Sequence, residues 1–273
     1  MEVSFESLET TVRIRSTDPE LGALIGELFR HFPRGERTPD LIISITNVED
    51  GYRVESGTET IVEGVTRDKA LIRTLSFINR TSVYGATPLI IHAGAVSRDG
   101  DVIAFPGRAN LGKSTLVAAC LLEGFDYVTD EGLLITSDAG EVKPYPKALW
   151  LSRKSRSALS IEETRLSARL DERHKSAVLP DELGARVAEP PQKLKHLVAL
   201  DRNGGPLSIQ RLGPGAVATH LLTNAFNRYE RPVDWFHLTA ELARNVYAWR
   251  LCYADATEAA RYLKSHLAEE FTV

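Results

Sequence analysis

The chain has 273 residues, of which 43% are hydrophobic and 26% charged, the balance of an ordinary globular protein. A net charge of −4 and a pI near 6.0 argue against nucleic acid as the main partner. Apolar runs are too short to span a membrane and the first residues lack a signal-peptide core, so a cytoplasmic protein without a membrane partner is expected.

The elements are expected in the following order. Thr10–Arg15 alternates like a half-buried strand. Asp18-Pro19-Glu20 starts a helix, with Asp18 as N-cap and proline at the first helical position. Leu41–Ile45 reads as a strand, Tyr52–Val62 as a hairpin turning at Gly57, and Thr66 or Asp68 opens a second helix. Residues 1–87 thus form a small N-terminal α+β unit, and 88–273 the larger, catalytic domain. Pro88–Val96 is a strand, Arg98-Asp-Gly100 a tight turn, and Asp101–Phe105 the antiparallel return.

Residues 107–115 then read Gly-Arg-Ala-Asn-Leu-Gly-Lys-Ser-Thr, the phosphate-binding pattern G-x-x-x-x-G-K-[ST]. Each fixed position has a task. Gly107 and Gly112 let the backbone curl, which turns the N–H groups of Arg108, Ala109, Asn110 and Leu111 towards one concave nest. Lys113 brings a positive charge to the β- and γ-phosphates, the Ser114 hydroxyl can ligate Mg²⁺, and Thr115 continues into a helix whose dipole is positive at this end. The helix runs through Leu122 and stops at Gly124. A hairpin directly before such a loop points away from the usual parallel βαβ context and towards a mixed sheet.

Phe125–Thr129 and Leu133–Thr136 are strands, with Asp130-Glu131 between them. One helix and one return strand separate this acidic pair from the loop, enough chain to bring it back beside Ser114. One carboxylate can hold a metal while the other takes a proton from an attacking hydroxyl. His92, on the strand before the hairpin, is either a satisfied core residue or a functional group.

Farther on, a hairpin turns at Asp138-Ala-Gly140, and Val142–Lys147 is an irregular, proline-bearing strand. Arg153–Leu159 is helical, and 160–192 is a mobile loop or lid. His196–Leu200 and Leu207–Arg211 are strands joined by Asn203-Gly-Gly. Helices follow from Gly213 to Phe226 and from Trp235 to Trp249. Leu251–Tyr253 is a short strand, and Asp255 caps a final helix. Arg108, Lys147, Arg153 and Lys175 are candidates for a second cation on the phosphates, and Arg228 and Arg231 for an acceptor pocket. With only Cys120 and Cys252, a disulfide scaffold is excluded and a metal cluster is not expected.

The order His92-Ala-Gly-Ala-Val96, Gly107–Ser114 and Asp130-Glu131 resembles the C-terminal catalytic domain of HPr kinase/phosphorylase, in particular a divergent HPr-kinase-related branch. The resemblance spans about residues 88–265. It implies an α/β fold: a mixed-sheet P-loop kinase core similar to HPr kinase and phosphoenolpyruvate carboxykinase. It also implies transfer from ATP, with Mg²⁺, to a hydroxyl, and a possible homo-oligomer. Asp130 then matches the catalytic acid/base, Glu131 the second acid that helps hold the metal, and His92 a group that sits behind the phosphates or orients the acidic pair. Two positions depart from the family. Its second acid is Asp, where this chain has Glu131, and its glycine-rich strand is replaced by Pro144–Trp150. The acceptor implied is therefore a peptide, protein serine or small-molecule hydroxyl other than HPr. A regulatory protein that binds nucleotide without transferring phosphate is the alternative.

Overall fold

Alternating apolar side chains at the start of the chain pair at once. β1 (Glu2–Ser7) and β2 (Thr10–Ser16) form an antiparallel hairpin in register Phe5↔Val12, and Phe5, Val12 and Ile14 are buried. The acidic start of the chain does not announce β1. The structure, a computed structural model, describes residues 1–163, 171–172, 175–202, 205–227 and 232–270. These divide into two units, Met1–Thr87 and Pro88–Val273.

In the first unit, α1 (Pro19–Leu28) starts where expected. Asp18 Oδ1 accepts hydrogen bonds from the backbone N–H groups of Glu20 (2.9 Å) and Leu21 (3.1 Å), which satisfies two donors the first turn leaves open. β3 (Leu41–Val48) joins β2 in parallel, then β4 (Gly51–Ser56) and β5 (Glu59–Val65) complete a five-stranded sheet in sequence order. α2 (Arg67–Gly85) packs on it through residues such as Ala70, Leu71 and Ile78.

The second unit is built on an eight-stranded mixed sheet. β6 (Leu89–Arg98) and β7 (Asp101–Pro106) form the expected hairpin, with Asp99 and Gly100 in left-handed conformations at the turn. α3 (Lys113–Leu122) follows, then β8 (Asp126–Thr129) and β9 (Gly132–Ile135), both antiparallel to β6. β10 (Val142–Lys143) pairs with β9. β11 (Leu149–Ser152) leads into α4 (Arg153–Ala158). β12 (Asp171–Glu172) and β13 (Lys175–Val178) join β11 in a separate three-stranded sheet. β14 (Lys193–Asp201), β15 (Ser208–Leu212), α5 (Pro214–Asn224), α6 (Pro232–Asn245), β16 (Tyr247–Cys252) and α7 (Ala256–Glu270) complete the chain.

The order β10-β9-β6-β7-β14-β16-β15 has β7, β14 and β16 mutually parallel at its centre and antiparallel strands outside them. The mixed sheet expected from the hairpin is therefore present. Side-chain alternation supplies two cores. Ile103 and Phe105 of β7 face α3 and α7, while Val102 and Ala104 face α5 and α6. Burial on both faces explains why these strands read as continuous apolar runs.

Two expectations need correction. The helix expected over 235–249 ends at Asn245, and Trp249 lies in β16. Val246 and Trp249 are buried as expected, but the segment Tyr-Ala-Trp-Arg-Leu-Cys favours a strand, and that preference overrides the helical spacing. The two strands expected on either side of 203–205 are present as β14 and β15, with β16 between them in the sheet. The loop or lid expected over 160–192 contains regular secondary structure where it is described. Ala177, Val178 and Leu179 are buried, β13 pairs with β11, and Pro180–Leu183 forms a 3-10 turn against α3. Residues 164–170, 173 and 174 of that stretch lie outside the described residues. No helix among the described residues is long and apolar enough to cross a membrane.

Candidate functional site

The sheet delivers the loop 107–115 from the carboxyl end of β7, and the backbone N–H of Gly107 ties its start to the His92 carbonyl on β6 (3.2 Å). Asn110 (φ 68°) and Gly112 (φ 88°) are both left-handed, which curls the segment. Asparagine tolerates this conformation and glycine adopts it freely. Gly112 is the N-cap of α3 and has no side chain to cap it, so the N–H groups of the first turn stay open to an anion. Arg108, Ala109, Asn110 and Leu111 are exposed, and Gly107 is buried.

Lys113 is 5% exposed and folds back over its own loop, donating to the carbonyls of Gly107 (2.7 Å) and Arg108 (2.8 Å). Burial lowers its pKa, and the fields of Asp130 and Glu131 oppose that shift without overcoming it. No ion pair to Lys113 forms among the described residues. The cation is thus held at the loop by neutral acceptors that a phosphate can outcompete.

The acidic pair reaches the loop through the β6 ladder. The pairs Thr129↔Ala95 and Gly132↔His92 bracket it, which sets Asp130 opposite Gly94 and Glu131 opposite Ala93. The Glu131 carbonyl accepts from Ala93 N–H (3.1 Å). Asp130 Oδ1 is buried and has no hydrogen-bond partner among the described residues. Burial raises the Asp130 pKa to about 7, helped by Glu131 and opposed by a hydrogen bond from Ser114 and by the charges of Lys113 and Lys147. Ser114 and Asp130 therefore adjoin at the N-terminus of α3.

Glu131 is ion-paired to Lys147. Burial disfavours the Lys147 ammonium, but Glu131 and Tyr145 outweigh it and hold its pKa above the ordinary value. The Lys147 backbone is fixed by the Tyr127 hydroxyl, which donates to its carbonyl (2.8 Å). His92 is half-buried with its ring 5.1 Å from that of Phe226. Burial and the Lys113 charge lower its pKa, with Glu131 opposing, so the imidazole is neutral at pH 7.

Gly94 makes this convergence possible. A Cβ on it would stand 2.7 Å from Val117 Cγ2, 3.6 Å from Lys113 Cβ and 3.8 Å from Asp130 Oδ1. Gly94→Ala is expected to cost about 1–3 kcal/mol of stability through overpacking against α3. Urea unfolding checks this, and an unchanged midpoint would show that α3 has room to move.

Of the other residues named from sequence, Thr115 Oγ1 hydrogen-bonds with Ser155 Oγ (2.9 Å), which joins α3 to α4. Arg153 is exposed at the start of α4. Lys175 is exposed on β13, and its charge reaches Lys113. Arg228 and Arg231 lie outside the described residues. Sequence reasoning missed Arg202, which follows β14 and lies against Gly112. Its only sequence signal is its place after an apolar strand, and the pairing of that strand with β7 has no local signature.

The residues present fit a nucleotide with a divalent cation. Among the described residues no group of three or more His, Cys, Asp or Glu could form an all-protein metal cage. A buried, unpartnered Asp130 oxygen beside the Ser114 hydroxyl instead suits a hard cation shared with phosphate oxygens.

No family model matches the sequence, and no curated protein matches it. Among solved structures the chain is similar to the HPr(Ser) kinase/phosphatase from Coxiella burnetii, with 11% identity over 67% of this chain and 98% of that chain and a TM-score of 0.37. So distant a likeness assigns neither chemistry nor partner to this chain.

Proposed function

We propose that the chain is a kinase that moves the γ-phosphoryl group of a nucleoside triphosphate, ATP in the first instance, to a hydroxyl acceptor on a peptide, protein or small molecule. One observation carries this reading: Lys113 and Asp130, from the loop and from the β6 ladder, converge at the uncapped N-terminus of α3. The α3 N–H groups and the nest of residues 107–112 bind the phosphates. Lys113 leaves its two carbonyls for the β- and γ-oxygens. Asp130 accepts the acceptor hydroxyl proton as the new P–O bond forms and the β–γ bridge bond breaks, releasing ADP. Ser114, Asp130 and Glu131 would hold Mg²⁺, which when bound offsets phosphate charge. Lys147 restrains Glu131, and neutral His92 backs the loop without adding charge.

The test is incubation of the full chain with γ-labelled ATP, Mg²⁺ and panels of serine peptides and small alcohols. Label should pass to an acceptor with equal release of ADP. Tight binding of ATP without ADP release on any acceptor would favour the regulatory reading instead.

A further inference from the structure

Phosphoryl transfer needs positive charge beyond Lys113. Lys147 is committed to Glu131, and Arg108 points to solvent from the loop. The parallel strands supply another cation. β14 runs parallel to β7 in register Leu197↔Ala104, so both end at the same edge of the sheet, where α/β proteins hold their ligands. β16 runs parallel to β14, and Tyr253 N–H donates to the Asp201 carbonyl (3.3 Å) just beyond it. Arg202 therefore emerges beside Tyr253. Its guanidinium carbon lies 5.8 Å from the centre of that ring, and Tyr253 is 1% exposed, so the support is fixed.

The guanidinium also lies against the loop. A Cβ on Gly112 would meet Arg202 Nη1 at 2.7 Å, Cδ at 2.9 Å and Cζ at 3.3 Å. It is thus packed on the residue that caps α3, where the open N–H groups begin. No ion pair or hydrogen bond of the Arg202 side chain forms among the described residues. An exposed arginine in that setting keeps its five donors for a ligand.

We infer that Arg202 is a phosphate-binding residue of this site, donating its planar fork to the phosphate oxygens of the nucleotide held by the loop. This rests on the kinase reading. Arginine suits the task because the fork matches two phosphate oxygens at once and its place over the Tyr253 ring pre-orients it. Gly112 has a second reason to be glycine: any side chain there would displace the guanidinium.

The experiment measures binding of MgATP, MgGTP, ADP and adenosine by calorimetry, and turnover on the best acceptor. The proteins are wild type, Lys113→Ala, Arg202→Ala, Arg202→Gln and Arg202→Lys. Arg202→Ala and Arg202→Gln should lose about 10- to 100-fold in triphosphate affinity or in kcat, the range for charge-assisted hydrogen bonds. Arg202→Lys should recover part of the loss, and adenosine binding and melting temperature should not move. An equal loss for adenosine, or a lowered melting temperature that Arg202→Lys does not restore, would overturn the inference in favour of a structural role. If Lys113→Ala loses triphosphate binding while Arg202→Ala binds and turns over like wild type, the Arg202 inference fails and the kinase reading stands. If wild type binds no triphosphate, or Lys113→Ala binds as wild type does, both fail.

Discussion

Asp130→Asn is expected to cut phosphoryl transfer about 10²- to 10⁴-fold, the usual contribution of a positioned base, and to make the ligand-free protein more stable above pH 7. The second effect follows from burial. In the folded chain the Asp130 pKa is about 7, whereas an unfolded aspartate titrates near 3.8. Between those values the folded state binds the extra proton, so stability is greatest at low pH and declines as pH rises through about 7. Asparagine does not ionise and escapes this loss, which is on the order of 2–4 kcal/mol at pH 8. Melting curves at pH 4 and pH 8, with EDTA present to exclude metals, provide the check. The variant should gain stability over wild type at pH 8 and lose that advantage at pH 4. A gain of equal size at both values would mean that ionisation is not the cause. Transfer at the wild-type rate would remove Asp130 as the base.

Lys113→Ala is expected to abolish the melting-temperature increase that MgATP gives the wild type and to weaken nucleotide binding by about 10²-fold or more, since charge-assisted hydrogen bonds contribute about 1.5–3 kcal/mol each. The ligand-free protein should also lose about 1–3 kcal/mol, because the Gly107 and Arg108 carbonyls would be left without their donor. The field of Lys113 steadies the Asp130 carboxylate, so its removal should push the Asp130 pKa higher still. Thermal shift with and without MgATP reads the first effect. A full nucleotide response in the variant would show that the buried lysine serves only the fold.

Much of the local structure could be read directly. The Asp18 cap, the hairpin at Gly100 and the strand–loop–helix around 107–122 depend on contacts between residues a few positions apart. Such contacts leave a signature in adjacent letters. The Trp249 error shows the limit of that signature. Leu242, Val246 and Trp249 keep helical spacing, yet the letters from Tyr247 onward are rich in strand-favouring aromatics, and pairing with β14 and β15 chose the strand. Within the stretch expected to be a loop, Ala177–Leu179 are buried for a related reason. Charges around Ala177–Leu179 mask a short apolar run whose partner is β11, more than twenty residues earlier in the chain.

By itself the sequence determined the mixed character of the sheet and the phosphate-binding pattern, and it marked Asp130-Glu131 as the acids to watch. Only the tertiary structure decided that Asp130 sits opposite Gly94 beside Lys113, that Lys147 takes Glu131, and that Arg202 rests on Gly112 and Tyr253. The physical reason is sequence separation. Backbone conformation and capping are settled within one turn or one hairpin. The convergence at the site depends on strand pairings that join segments tens of residues apart and on a glycine that lets α3 approach β6. No stretch of adjacent residues encodes which strand ends will share an edge.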